Sequence, residues 1–349
     1  MKEGPFELML GWERRRWDGK KEDEPRAPIG AKRAGNIRRK ARKPKKKRRK
    51  MTKGADMTSR TKGFLGITLL TLLIATLLLA GCGEKKEESG GGGTAQKYSG
   101  TVKCSGSTTV LPIAQEAADR FMDANPDATV EVQGGGSSVG ITQVKDGVVD
   151  IGMSSRDIKQ EENPDGSLVP QKIALDIICV IVHPSNRVDN LTAEQVKDIF
   201  TGRITNWKDV GGADAEIIVV VRDKASGTRE MFDEKAMGHK KEAPVEPVAS
   251  AIECNSNGVL RETVASKTNA IGYVSKGYVN NTVKEVKYNG VAPSVQTAKD
   301  KTYPLARFLY LITKGQPSGA AKGFIDFVLS DSFQNDVVAK EYIPIKQAQ

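Results

Sequence analysis

Three short stretches of this 349-residue chain pair hydroxyl side chains with glycine. They are Ser105-Gly106-Ser107-Thr108-Thr109, Gly134-Gly135-Gly136-Ser137-Ser138 and Ser226-Gly227-Thr228. Hydroxyls donate hydrogen bonds without carrying charge, and glycine lets a backbone N–H come close to a ligand. Arg222 stands four residues before Ser226. It adds a planar fork of donors suited to a tetrahedral oxyanion. A fourth stretch, Asp150-Ile151-Gly152-Met153-Ser154-Ser155-Arg156, closes a short apolar run with two hydroxyls and a second guanidinium. The chemistry these residues share is capture of a small anion by neutral donors and arginine.

The elements around the first three stretches repeat one design. Thr101–Cys104 is β-prone, and Val110, Ile113, Ala117, Ala118, Phe121 and Met122 then recur at helical spacing until Asn125-Pro126. Thr129–Gln133 alternates like a strand, and a short helix is predicted up to Gly147. Ile217–Val221 is a continuous apolar run of the kind found in buried parallel strands, and Arg229 to Met237 reads as helix. A helix N-terminus presents unpaired N–H groups and about half a positive charge, so strand, turn and helix together make a ready anion site. Any one such turn is better explained by helix capping. Three in one chain favour the anion. Arg156 is equally explained by a salt bridge to Asp157 or another surface carboxylate.

The net charge of +11 invites a nucleic-acid reading. Its distribution argues against that. Residues 1–56 hold 21 Lys and Arg against 8 Asp and Glu, whereas residues 82–349 hold 31 against 35. The part able to fold is mildly acidic, and no nucleic-acid partner is expected. Residues 1–56 lack apolar periodicity and are expected to be a disordered basic segment, with Met51 or Met57 as alternative translation starts. Residues 57–81 place Arg60 and Lys62 before the uncharged apolar run 64–80. This is a secretory signal pattern, and 17 residues are short for a membrane span of ~30 Å. Leu79-Ala80-Gly81-Cys82 resembles a bacterial-type lipobox, which implies lipidation at Cys82. Residues 82–97 form a charged, Gly-rich linker with a reach of ~20 Å. The folded part is therefore expected outside the cytoplasm, anchored to the cell membrane.

Four Cys and two His, scattered, exclude a disulfide scaffold and most zinc sites, and no metal or cofactor is expected. Cys104 and Cys179 sit in apolar strands and read as buried thiols, with a Cys104–Cys179 bridge left open; Cys254 is the third. Trp207, Tyr273 and Phe308 read as packing residues. Gly136-Ser137-Ser138-Val139-Gly140 fits a G-x-S-x-G nucleophile elbow, which would make Ser138 the nucleophile of a hydrolase with His183 or His239 as base. A phosphate-loop NTPase is excluded, because the only Gly-Lys pair, Gly19-Lys20, is followed by Lys21.

Taken in order, the four stretches resemble the phosphate-binding proteins of high-affinity phosphate ABC transporters. LTAEQVKDIFTGRITNWKDVGG (191–212) and NAIGYVS (269–275) extend the resemblance over about residues 98–349. It implies an α/β, two-lobed periplasmic-binding-protein-like fold of type II, with two crossover segments and the ligand in the interlobe cleft. Lobe one would comprise 98–178 and 306–349, and lobe two 179–305. Residues 174–184 and 303–313 would cross between them, and a C-terminal helix over 324–338 would return to lobe one. The resemblance implies inorganic phosphate bound by Ser107, Thr108, Thr109, Ser137, Ser138, Arg222, Ser226, Gly227 and Thr228, with Ser155 and Arg156 beside them. The best-known members carry an Asp where Ser155 stands, to accept the proton of bound phosphate; Asp157 and Asp223 are the nearby alternatives. The implied protein is a monomeric, non-enzymatic receptor without cofactor that delivers phosphate to the permease subunits of an ABC transporter. A receptor for sulfate, molybdate or tungstate, and a sensor or adhesin without a transporter, are the alternatives within the fold.

Overall fold

A computed structural model describes residues 97–348; the basic segment, the signal, Cys82 and the linker up to residue 96 lie outside the described residues. Strand β1 (Gly100–Gly106) pairs in parallel with β2 (Ala128–Gly134) and with β3 (Ile151–Ser154). Helix α1 (Leu111–Ala124) joins β1 to β2 and buries Ile113, Ala114, Ala117, Ala118 and Phe121, the stripe its spacing predicts. Helix α2 (Ser137–Lys145) joins β2 to β3.

Strand β4 (Leu168–Val182) then runs out of this lobe, and β5 (Asn190–Leu191) and α3 (Ala193–Phe200) follow. Thr192 and Gln195 form a capping box at the start of α3. The second lobe is built on β6 (Ile218–Arg222), α4 (Gly227–Phe232), β7 (Ile252–Cys254), α5 (Asn257–Ala265) and β8 (Ala270–Ser275). It is completed by β9 (Lys284–Tyr288) and α6 (Val295–Lys299). Strand β10 (Ala306–Lys314) returns, and α7 (Gly319–Leu329) and β11 (Ile343–Pro344) close the chain.

The main strand order is β2-β1-β3-β10-β4-β8-β6-β7. The parallel trio β2-β1-β3 belongs to one lobe and the parallel trio β8-β6-β7 to the other. Between them lie the two crossing strands, β4 and β10, paired antiparallel from Ala306↔Ile177 to Lys314↔Leu168 with one irregularity at Leu309/Tyr310. Two apolar cores flank this pair. Val102, Phe121, Met153, Leu311 and Phe324 belong to the first; Phe200, Trp207, Phe232, Tyr273 and Leu305 belong to the second. On β4 itself, Ile173 and Ala174 enter the first core, and Leu175 and Ile177 through Val182 enter the second. The architecture is thus α/β and two-lobed with two crossings.

Several local expectations change. Strand β4 begins at Leu168, ahead of the predicted 174. The helix predicted over 324–338 is two pieces. The chain leaves helical geometry at Ser330 (ψ 145°), whose hydroxyl caps the restart by accepting from Phe333 N–H at 3.3 Å. The helix read from Arg229 to Met237 starts at Gly227, and its second half, Asp233–Met237, widens to π geometry. Cys104, Cys179 and Cys254 are all free and buried, so the Cys104–Cys179 bridge is absent. Trp207 is a packing residue whose indole N–H donates to the Asn269 carbonyl at 2.9 Å. No helix among the described residues is long and apolar enough to cross a membrane.

Candidate functional site

The three hydroxyl turns converge. Each follows the C-terminal end of a parallel strand (β1, β2 and β6), where open α/β sheets collect ligand-binding loops. Thr109 Oγ1 lies 3.2 Å from Thr228 Oγ1, which joins the first turn to the third across the two lobes. Ser138 N–H donates to the Ala225 carbonyl at 3.1 Å, which joins the second turn to the third. The fourth stretch arrives through Ser155, whose N–H donates to Ser137 Oγ at 3.0 Å. The approach is close enough to require glycine. Gly136 has φ 97°, and a Cβ there would sit 2.6 Å from the Ala225 carbonyl oxygen. A Cβ on Gly227 would collide with Ser137 Oγ and lie 3.0 Å from Ser155 Oγ. Ser107, Thr108, Thr109, Ser137, Ser155, Ser226 and Thr228 are all buried here.

Two of these hydroxyls shape their own turns. Ser107 Oγ accepts from Thr109 N–H (3.2 Å), and Ser226 Oγ caps α4 by accepting from Arg229 N–H (3.2 Å). Thr108 and Thr109 are held through their carbonyls, which accept from Tyr278 Oη (2.6 Å) and Tyr342 Oη (3.1 Å). Arg222, at the end of β6, is 1% exposed. Its Nε donates to the Cys254 carbonyl and its Nη2 to the Asn255 carbonyl, both at 3.2 Å. Its Nη1 has no partner among the described residues. Burial pushes the Arg222 guanidinium down from its ordinary value; Asp223 opposes this, and the charge of Arg307 adds to it.

Sequence reasoning missed a second layer. Asn257, at the start of α5, donates from Nδ2 to Thr108 Oγ1 (3.2 Å) and Thr109 Oγ1 (3.0 Å), and its Oδ1 accepts from Ser275 N–H (3.2 Å). Arg307 on β10 faces Asp176 on β4 as a direct cross-strand pair. Asp176 Oδ2 accepts from Arg307 Nε (3.1 Å) and Nη2 (3.0 Å), and its Oδ1 from Ser275 Oγ (2.6 Å). Burial pushes the Asp176 carboxyl up from its ordinary value, and Arg307 and Ser275 pull against that. The register of the two crossing strands therefore sets a buried ion pair between the lobes.

The resulting cluster has a surplus of donors. Thr109 Oγ1 accepts from Asn257 and Arg307, so its proton turns to Thr228 Oγ1, which accepts from Arg307 as well and is left with its own proton to give away. The carboxylate inside this cluster, Asp176, already has both oxygens engaged. Buried donors without acceptors are costly. What completes such a site is a guest that only accepts and carries negative charge.

Arg156 departs from the expected ligand role. Its Nη1 donates to the Asp157 carbonyl (2.9 Å) and Glu162 Oε2 (2.7 Å); its Nη2 donates to Ser138 Oγ (3.0 Å) and Glu162 Oε1 (2.7 Å). No terminal donor is left for a ligand. Its Nε lies 2.8 Å from Glu230 Oε2, an ion pair whose angle falls outside hydrogen-bond geometry. Burial pulls this guanidinium down, but Glu162 and Glu230 outweigh it and hold it above its ordinary value. Glu230 stands on α4 in the other lobe, and Lys159 Nζ reaches the same carboxylate at 3.0 Å. Arg156 thus ties the lobes together. Substituting Glu230→Gln should speed ligand release about fivefold with association little changed, as expected for a half-shielded ion pair of ~1 kcal/mol that forms only when the lobes meet. Stopped-flow release kinetics would measure it, and an unchanged release rate would remove the tie.

The remaining expectations resolve as follows. Asp157 Oδ1 accepts from Tyr310 Oη, and Asp223 Oδ1 accepts from Ala225 N–H at 2.9 Å. The two imidazoles are engaged elsewhere, His183 Nδ1 with Ser185 Oγ (2.8 Å) and His239 Nδ1 with the Val245 carbonyl (2.9 Å). Ser138 Oγ accepts from Arg156, which leaves the hydrolase reading without its base.

Comparison with known proteins agrees with this geometry. Residues 91–332 match the model of the PBP superfamily domain. The phosphate-binding protein PstS of Bacillus subtilis (strain 168) is 34% identical over 287 residues, covering 80% of this chain and 94% of that protein. Among solved structures, a phosphate ABC transporter substrate-binding protein from Clostridium perfringens with bound phosphate is 39% identical, with a TM-score of 0.67, covering 70% of this chain and 100% of that one. An ABC-type phosphate transport receptor from Vibrio cholerae is 35% identical, with a TM-score of 0.59 and the same coverage.

Proposed function

Since the chain belongs to the phosphate-binding proteins of the periplasmic-binding-protein superfamily, we propose that its donor-rich interlobe cluster is the seat of inorganic phosphate. The fold is the two-lobed type II form, and the protein is an extracytoplasmic solute receptor serving phosphate import by an ABC transporter. Thr108, Thr109, Ser137, Ser155 and Thr228 offer hydroxyls from both lobes, Gly227 lets its backbone come close, and Arg222 supplies a charged fork. Ligand atoms from both lobes couple binding to closure, and Arg156 with Glu230 holds the closed form. Lipidation at Cys82 would tether the receptor at the membrane, and the permease subunits would receive the released anion. Capture and release of the anion at this cluster proceed through hydrogen bonds and charge alone.

The observation that carries the reading is the surplus of buried donors in this cluster, where Nη1 of Arg222 and Nη1 of Arg307 have no partner among the described residues. Isothermal titration with phosphate, arsenate and sulfate tests it. One phosphate per chain is expected, with arsenate competing and sulfate displacing it only at far higher concentration. Displacement by sulfate at comparable concentration would replace this reading with that of a general oxyanion receptor.

A further inference from the structure

We propose that Arg307 is a second guanidinium ligand of the bound anion, supplied by the crossing strand rather than by either lobe. The inference rests on the phosphate reading of the same cluster. Arg307 is 4% exposed and stands on β10, in the middle of the sheet. Its Nη2 donates to Thr109 Oγ1 (3.1 Å) in one lobe and to Thr228 Oγ1 (2.9 Å) in the other. Both hydroxyls belong to the converging turns. Its Nε and Nη2 are anchored on Asp176, which fixes the plane of the fork.

One end of that fork is left over. Nη1 of Arg307 is sealed from solvent and has no partner among the described residues, as is Nη1 of Arg222. Buried charged donors without acceptors are rare in native proteins, and each calls for an explanation. Two of them have a common one: they belong to like-charged groups whose charges act on each other, Arg307 bonded to the Thr109 and Thr228 hydroxyls and Arg222 to the chain two residues before Asn257. A single acceptor-only anion would satisfy both. A purely structural Arg307 would need only the Asp176 pair and the two hydroxyls, which Nε and Nη2 already serve.

A second cation within contact distance favours the more highly charged form of a bound anion. Phosphate held by Arg222 and Arg307 therefore keeps its dianionic form to lower pH than free phosphate does. Bound and free phosphate are read separately by their ³¹P resonance.

The experiment compares the wild-type protein with Arg307→Gln and Arg307→Lys, using inorganic phosphate as the probe. Circular dichroism and a thermal melt establish folding. Arg307→Gln is expected to weaken phosphate binding by roughly 10- to 100-fold, the range for a hydrogen bond to a charged group. At saturating phosphate, the bound ³¹P signal of this variant should titrate at higher pH than in the wild type. If Arg307→Gln does not fold, Arg307→Lys, which keeps a charge against Asp176, is read instead. It is expected to lose about tenfold, because a point charge does not reproduce the fork. Affinity within threefold of wild type, or weaker binding with an unshifted ³¹P titration, would overturn the ligand role and leave Arg307 structural. A wild-type protein that binds no phosphate would instead overturn the parent reading.

Discussion

Replacing Asp176 with alanine should lower the stability of the protein by about 3–5 kcal/mol, the cost of leaving a buried charge without its partner. Asp176 and Arg307 are respectively 1% and 4% exposed and are paired at 3.0 Å. Removing the carboxylate strands the Arg307 guanidinium and the Ser275 hydroxyl together, since Ser275 Oγ donates to Asp176 at 2.6 Å. For a domain of this size the thermal midpoint should fall by roughly 10 °C. Saturating phosphate should recover part of the loss, because a ligand that binds only the folded state stabilises it. Its negative charge also lies beside the orphaned cation. A midpoint within 2 °C of wild type would mean that water reaches Arg307 and that the pair is not the buried element described above.

Arg222→Ala should act on binding instead. Truncating one partner of a desolvated charged contact typically costs 2–5 kcal/mol, or about 30-fold to a few thousandfold in affinity. The fold should persist. Arg222 is held by carbonyls of Cys254 and Asn255 at the end of β7, not by a buried carboxylate whose charge would be stranded. Titration calorimetry with phosphate, beside a melt of the ligand-free protein, separates the two effects. A melt near wild type with affinity reduced at least 30-fold is expected; unchanged affinity would remove Arg222 from the site.

The turns were legible because each sits where a β-prone, alternating or continuously apolar run gives way to a 3.6-residue pattern, and that change marks the end of a strand in the sequence itself. Ser137, Thr228 and Arg222 fall at such changes, and Ser137 lies against Gly227, the residue before Thr228. Asn257 occupies a fourth unit of the same design that escaped notice. Its strand, β7, has only three residues, too few for any periodicity, although Asn255-Ser256-Asn257-Gly258 before a helical stripe was a usable turn signal. The Asp176–Arg307 pair left a different trace. Each is a lone charge inside a strongly apolar run, ALDIICVIV and YPLARFLYLIT, and charges so placed are almost never buried unless paired. Two such runs with one charge of each sign carry a prediction of pairing that needs no motif. Arg156 stayed open between ligand and salt bridge for the opposite reason. A sequence shows that a guanidinium follows two serines but not that Glu162 and Glu230 arrive from elsewhere to occupy it.

The glycines at 136 and 227 set apart two kinds of tolerance to change. At Gly227 the missing side chain matters where one lobe touches the other, against Ser137, whereas Gly136, at φ 97°, is also required by its own backbone. A methyl group at Gly227 would burden only the shut conformation. Such a variant would express, remain soluble and survive heating, yet fail to retain its cargo. Libraries sorted by abundance alone would rank position 227 as permissive, whereas libraries sorted by growth on scarce phosphate would rank it among the strictest in the chain.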